Sequence, residues 1–243
     1  VELRLAGGAA FSVRLVDCVG YMVDSAVGQF EDLSPRMVMT PWFDHEIPMT
    51  EAAEIGTRKV ITDHATVGVV VTTDGTITDI PREDYREAEE RVIRELQDIG
   101  KPFVVLVNSA QPEDPRAAAA AAEIQTRYGV TCRCVNCLTL TEEDIGDILR
   151  DLLYQFPLRE LDVFLPEWVD ALPGEHPIRS GLYQEIGEAA SQLTRICALP
   201  PCLAALSQGE NIESAAASTI DLGSGVAQVE IRLPRRLFFE TLR

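Results

Sequence analysis

Residues 11–21 read FSVRLVDCVGY: strand-like positions at Val13, Leu15 and Val16 run into Asp17, and Gly20 follows three residues on. Just upstream, VELRL (1–5) alternates in the same way across Gly7-Gly8, so the two stretches predict a hairpin. Asp17 is then expected at the C-terminal end of a buried strand. Gly20 is placed where a backbone N–H can approach a ligand with no side chain in the way.

Outward from this stretch the chain acquires a rhythm. Residues 22–50 carry Gly28, Pro35, Pro41 and Pro48 and read as a loop-rich insert, long enough to suggest a functional role. EAAEIGTRKVITDH (51–64) predicts a helix with Thr50 as its N-cap. VGVVVTTD (67–74) is a continuous apolar run ending at Asp74-Gly75, which suits a strand covered on both faces. Tyr85, Ala88, Val92, Leu96 and Ile99 recur at helical spacing. FVVLVN (103–108) and VTCRCVN (130–136) predict two further strands, separated by the alanine-rich helix RAAAAAAEIQTRY (116–128) with Gly129 as its stop. TEEDIGDILRDLLYQF (141–156) opens on a threonine cap with acids in its first turn.

Strand and helix alternating in this way is the pattern of a mostly parallel α/β sheet flanked by helices. After Pro157 the rhythm changes. LRELDVFLP predicts one more strand, residues 177–208 look helical with an interruption at Pro200-Pro201, and GVAQVEIRLP (225–234) predicts a half-exposed antiparallel strand. A domain boundary is therefore placed at Pro157, giving units 1–157 and 158–243. The chain starts inside a strand-like run and stops within LFFETLR, so both ends are expected to be cuts in a longer protein.

Composition narrows the function classes. The chain has 243 residues, 46% hydrophobic and 25% charged, with a net charge of −18. An anionic surface repels phosphate backbones, so nucleic acid is not an expected partner; a nucleotide can still bind locally through backbone N–H groups and a metal ion. No run of about 18 apolar residues suggests a membrane span. No secretory pattern opens the stretch, so the six cysteines are expected as free thiols. CRCVNC (132–137) lacks the paired knuckles or nearby histidines of a zinc site, and buried strand thiols are the favoured reading for Cys132, Cys134 and Cys137.

The candidate chemistry is that of nucleotide triphosphates. A carboxylate at a strand tip can hold Mg²⁺ beside the terminal phosphates, which makes Asp17 the metal and catalytic candidate and Gly20 a phosphate contact; a plain turn after a strand is the other reading of this tetrapeptide. Asn108 ends FVVLVN two strand–helix units later, where guanine-nucleotide hydrolases carry N-K-x-D. This chain has Asn108-Ser109-Ala110-Gln111 instead. Without the lysine and the aspartate a guanine edge is not read; if Asn108 borders a purine, adenine or weak selectivity is expected, and a turn cap after the strand is the other reading of Asn108. Tyr21 stands where many such enzymes place a water-orienting glutamine and cannot act in the same way. Arg58 and Lys59 are read as a solvated helix face, His45, His64 and His176 as surface or core residues, and Asp74 and Asp79 either as bordering the crevice or as turn residues.

RLVDCVGY (14–21), the long block PRMVMTPWFDHEIPMTEAAEIGTRKVITDHATVGVVVTTDGTITDIPREDYREAEERVI (35–93) and GKPFVVLVNS (100–109) closely resemble the stage IV sporulation protein A family. The resemblance is strong to about Phe156 and looser through FLPEWV (164–169) and GVAQVEI (225–231). It implies a P-loop NTPase-like, translation-factor-related ATPase domain, truncated over 1–157, followed by an incomplete middle domain. It further implies a protein that binds ATP with Mg²⁺, hydrolyses it and polymerises into the basement layer of the spore coat. That layer would lie on the mother-cell face of the forespore, anchored by a small amphipathic membrane peptide and overlaid by other coat proteins. Asp17 matches the family's Mg²⁺-associated aspartate; Asn108 and Ser109 match its altered base-recognition motif. The family's glycine-rich phosphate loop lies upstream of these residues, so the stretch alone is expected to be inactive. A nucleotide-independent scaffold and a guanine-nucleotide switch are the competing readings.

Overall fold

The computed structural model describes residues 2–4, 10–23, 25–31 and 34–242. It divides into two compact units, Val1–Leu152 and Leu153–Arg243.

In the first unit β1 (Glu2–Arg4) and β2 (Ala10–Ser12) form the antiparallel hairpin, with Leu3 opposite Phe11. The Gly7-Gly8 turn lies outside the described residues. The insert holds four two-residue strands in two antiparallel pairs: β3 (Phe30–Glu31) with β4 (Ser34–Pro35), and β5 (Met37–Val38) with β6 (Ile47–Pro48). It packs through Trp42 onto α1 (Met49–Lys59): a Cβ at Gly56 would stand 3.1 Å from the indole, so glycine lets the ring lie close against the helix. Thr50 does not cap α1. Pro48 occupies that position with no side-chain cap, because the helix starts at Met49 and takes Thr50 inside it. The helix ends in a π-helical turn, Val60–His64, whose chain end is held by the Lys101 ammonium donating to the carbonyls of Ile61, Thr62 and Ala65.

Three parallel strands follow in the order β7 (Gly68–Thr73), β8 (Phe103–Asn108), β9 (Cys132–Val135). Val105 lies opposite Val70 on one side and Cys132 on the other. The crossovers are α2 (Arg86–Asp98), preceded by a 3-10 turn, and α3 (Pro115–Tyr128). In β8, period-two geometry sorts the side chains. Phe103, Val105 and Val107 pack with Ile93 and Leu96 of α2 and Ala121 and Ile124 of α3. Val104 and Leu106 face Ile148 and Leu152 of α4 (Glu142–Tyr154). The alanines at 117 and 121 are fully or nearly buried, so this face of α3 carries no bulk that would hold it off the sheet. Asp114 accepts from Arg116 N at 2.8 Å to cap α3, and Gly129 closes it in the left-handed region, φ 64°. Thr141 and Asp144 exchange hydrogen bonds at the start of α4, a capping box.

β7 departs from expectation. Val69 and Val71 remain 43% and 57% exposed, so one face of this strand is open. The α4-side cluster gathers residues of β8 and β9 but takes from the β7 region only Val67, which precedes the strand.

The second unit has its own core around β10 (Glu160–Phe164), α5 (Glu167–Asp170), α6 (Pro177–Ser191), α7 (Leu199–Leu206), β11 (Ser214–Asp221), β12 (Val226–Arg232) and α8 (Arg235–Thr241). β12 is central, parallel to β10 and antiparallel to β11. Val229 and Ile231 point inward to Leu199, Leu203 and Val169. Pro200-Pro201 opens α7 rather than breaking a longer helix, since the first turn has no use for the missing N–H. His176 caps α6, its ring nitrogen accepting from Ile178 N.

Candidate functional site

The C-terminal ends of β7, β8 and β9 are joined by side chains. β7 stops at Thr73, and the chain turns at Asp74-Gly75 with Gly75 at φ 88°. A Cβ there would stand 3.1 Å from Arg82 N, so both conformation and space require glycine. One Asp74 oxygen accepts from Thr76 N at 3.0 Å and Thr76 Oγ1 at 2.6 Å. The other accepts from Ser109 Oγ at 2.7 Å. Thr76 Oγ1 in turn accepts from Ala110 N at 2.9 Å. Burial works against ionisation of Asp74, but the hydrogen bonds from Ser109 and Thr76 outweigh it and hold its pKa below the usual carboxylate value. The acid is therefore both a turn residue and a bridge to the next strand.

Ser109 is fully buried. Its N–H donates to Val135 O at 2.9 Å and its Oγ accepts from Gln111 N at 3.1 Å. Asn108 Oδ1 accepts from Cys137 N at 3.0 Å. That donor fixes the amide, since only the oxygen can face an N–H. Asn136 Nδ2 reaches Ala110 O at 3.3 Å. Asn108 thus joins the loop after β9, and Ser109 extends the link towards β7.

Asp17 lies elsewhere. β2 ends at Ser12, and residues 13–20 belong to no strand. The expected placement at the tip of a buried strand is corrected: Asp17 is exposed, as are Leu15, Val16 and Val19. Alternation makes a stretch able to pair, but a strand forms only where a ladder partner stands beside it. Gly20 takes φ 83°, and nothing lies within 4 Å of where its Cβ would be. Asp17, Gly20 and Tyr21 line a cleft of about 460 Å³ with Val69, Val71 and Glu89 among its walls. Asn108 and Ser109 are not in that lining. Mg²⁺ takes one or two carboxylates and completes its octahedron with water and phosphate oxygens, so a single accessible carboxylate at Asp17 fits the ion as one protein ligand. Among the described residues no three His, Cys, Asp or Glu side chains gather into a metal cage.

Sequence reasoning missed the charge network that borders this cleft through Tyr21 and Glu89. Arg82 binds Glu89 through both guanidinium nitrogens, at 2.7 and 3.0 Å, and also donates to Thr72 Oγ1. Both side chains are nearly buried. The partners are i and i+7, and Arg82 lies in the 3-10 turn that precedes α2, outside the helix expected from the apolar spacing. Tyr21 donates to the Glu95 carboxylate and lies under the Arg91 guanidinium, 4.2 Å from the ring centre. Burial, then Glu95, raises the Tyr21 pKa far above its usual value, so the hydroxyl remains a donor. Arg58 pairs with Glu95 at 3.2 Å and is otherwise solvated; Lys59 lies 5.9 Å from the centre of the Trp42 ring.

Of the cysteine cluster, Cys132 is buried and its thiol is pushed up to about 12 by burial, Cys134 is half-buried, and Cys137 is exposed in the following loop. Their six-residue window contains Arg133, which turns to the opposite face and pairs with Asp151 and Asp147 of α4.

A three-stranded parallel sheet flanked by helices, with its polar cluster beyond the strand C-termini, is consistent with a P-loop NTPase-like ATPase domain. Comparison with known families agrees with this class. Residues 1–157 match the family model "Stage IV sporulation protein A, ATPase domain", and residues 158–243 match "Stage IV sporulation protein A, middle domain". The chain belongs to the stage IV sporulation protein A family. It is 41% identical over 243 residues to stage IV sporulation protein A of Bacillus subtilis (strain 168) and 40% identical over 243 residues to that of Bacillus anthracis. The protein of Clostridioides difficile (strain 630) is 36% identical over 242 residues. Each match covers 100% of this chain and 49% of the relative, so the chain spans about half the length of the curated relatives it matches. No solved structure matches. No helix among the described residues is long and apolar enough to cross a membrane.

Proposed function

We propose that the intact protein containing this chain is a Mg²⁺-dependent ATPase. It polymerises, and its polymer forms the basement layer of a spore coat on the mother-cell side of the forespore membrane. The observation that carries the nucleotide part is the joining of the Asn108-Ser109 tip to the neighbouring loops, within residues that match an ATPase-domain family. In this reading residues 1–157 form the nucleotide domain and 158–243 part of a middle domain. Bound Mg²⁺ neutralises charge on the terminal phosphates. Asp17 holds the ion, Gly20 admits a phosphate oxygen to the backbone, and Asn108 and Ser109 shape the base site. The tip sequence Asn108-Ser109-Ala110-Gln111 offers no carboxylate to a guanine edge, which supports adenine over guanine. Self-association, a small amphipathic anchoring peptide and further coat proteins are the proposed partners. Nucleic acid is not among them, given the net charge of −18.

The test is ATP turnover by the intact protein and its Asp17→Ala variant. Turnover at least tenfold slower in the variant is expected. Equal rates remove Asp17 from the metal site. A protein that assembles but hydrolyses neither ATP nor GTP is the scaffold of the competing reading. GTP outcompeting ATP would favour the switch.

A further inference from the structure

The strongest cluster outside the expected motif residues is Asp74 with Thr76. Its position is set by the fold. β7 and β8 are in register to Thr73 opposite Asn108, so the residue after each strand meets the other: Asp74 beside Ser109. Asp74 spends both oxygens on this meeting, one on Thr76 and one on Ser109. Thr76 then returns to Ala110 N, closing a ring of hydrogen bonds across two loops. The contacts from Asn108 to Cys137 N and from Asn136 to Ala110 O add the third loop. Two consequences follow. The backbone of 109–111 is held rigidly, with Ala110 N–H and Gln111 N–H both engaged inside the ring. The acid nearest the Asn108 tip is also committed inward, with three donors on it, and cannot serve as a carboxylate for a guanine edge.

We propose that Asp74, through Thr76 and Ser109, is a positioning residue for the nucleotide base. It fixes the 108–111 loop in the form that receives the base and keeps its own carboxylate out of the base site. This rests on the nucleotide reading above and adds to it a residue outside the Asn108-Ser109 motif. Because the ring acts on the bound base and not on the reacting phosphate, its removal weakens binding of substrate and transition state alike. That raises KM and leaves kcat.

Steady-state ATP turnover of the intact protein tests this, with Asp74→Ala, Asp74→Asn and Thr76→Val compared by thermal melting in parallel. Asp74→Ala is expected to raise KM for ATP roughly tenfold with kcat within about twofold, as loss of a charge-assisted hydrogen bond to a buried hydroxyl would do. Asp74→Asn keeps an oxygen for Thr76 and an amide for Ser109 and is expected to stay within about threefold of the unsubstituted protein. Thr76 is exposed, so Thr76→Val decides the matter if Asp74→Ala fails to fold; a KM raised roughly threefold is expected. Unchanged KM in both folded variants overturns the proposal, as does a fall in kcat at constant KM or an Asp74→Asn variant as damaged as Asp74→Ala. These results leave the ATPase reading standing. Absence of ATP turnover in the unsubstituted protein overturns that reading itself and the base-positioning role with it.

Discussion

The tip of β8 and the stretch 13–23 carry similar promise in sequence and meet opposite fates in the fold. Both follow apolar runs that end on a polar residue: Asn108 in one, Asp17 in the other. At β8, neighbours on both sides and helices on both faces bury every residue from Phe103 to Val107, and the tip is cross-linked by hydrogen bonds to two other loops. At 13–20 there is no strand, and Leu15 is 82% exposed. The difference teaches that a polar residue after an apolar run is fixed in space by its neighbours' ladders, not by the run itself.

The sharpest way to break the comparison is through Arg82, whose partner Glu89 lines the Asp17 cleft and whose backbone abuts Gly75 of the turn after β7. Arg82→Ala leaves a carboxylate buried without its partner and is expected to cost about 3–5 kcal/mol in urea unfolding. A loss below about 1 kcal/mol would mean that water reaches Glu89 from the cleft. Next in size is a paired truncation. Ile93→Ala in the packed face beneath β8 is expected to cost about 2–5 kcal/mol, whereas Leu15→Ala should change stability by less than about 0.5 kcal/mol. Equal losses would show that residues 13–20 pack as well as the sheet does.

The smallest effect is the dependence on pH. The folded-state pKa of Asp74 lies below its unfolded value, so its contribution is complete at neutral pH and is lost as pH falls through the unfolded and then the folded value. Asp74→Asn removes that titration. Denaturation midpoints of variant and parent should therefore converge as pH is lowered through this window. Midpoints that keep a constant separation would show that the Ser109 and Thr76 bonds do not form around an ionised carboxylate.

Much of the fold was legible because its signals are local. β7, β8 and β9 were read from their apolar runs, α3 from its alanines and Gly129, and α4 from its Thr141 cap. β11 was missed: SAAASTID is rich in small residues of low strand propensity, and it becomes a strand only because β12 offers it a ladder. Pro200-Pro201 looked like an interruption because a proline pair breaks a helix interior and starts a helix equally well. At the site, Asn108 was visible from its place after a buried strand, and Ser109 only through the family resemblance. The bridge from Asp74 to Ser109 spans 35 residues and follows from strand register, which the sequence does not display. Arg82 was hidden likewise. An arginine among acids reads as surface until the fold sets it between Thr72 and Glu89.

The open flank of β7 has a bearing on how the chain behaves in solution. β7 is joined to β8 alone among the described strands, and Val69 and Val71 lie bare along it. A sheet margin without a partner strand and with aliphatic groups beside it is sticky towards any extended polypeptide, including its own kind. The net charge of −18 counters that tendency by mutual repulsion between molecules. Because salt shortens the reach of such repulsion, ionic strength sets how long concentrated solutions of this chain stay clear.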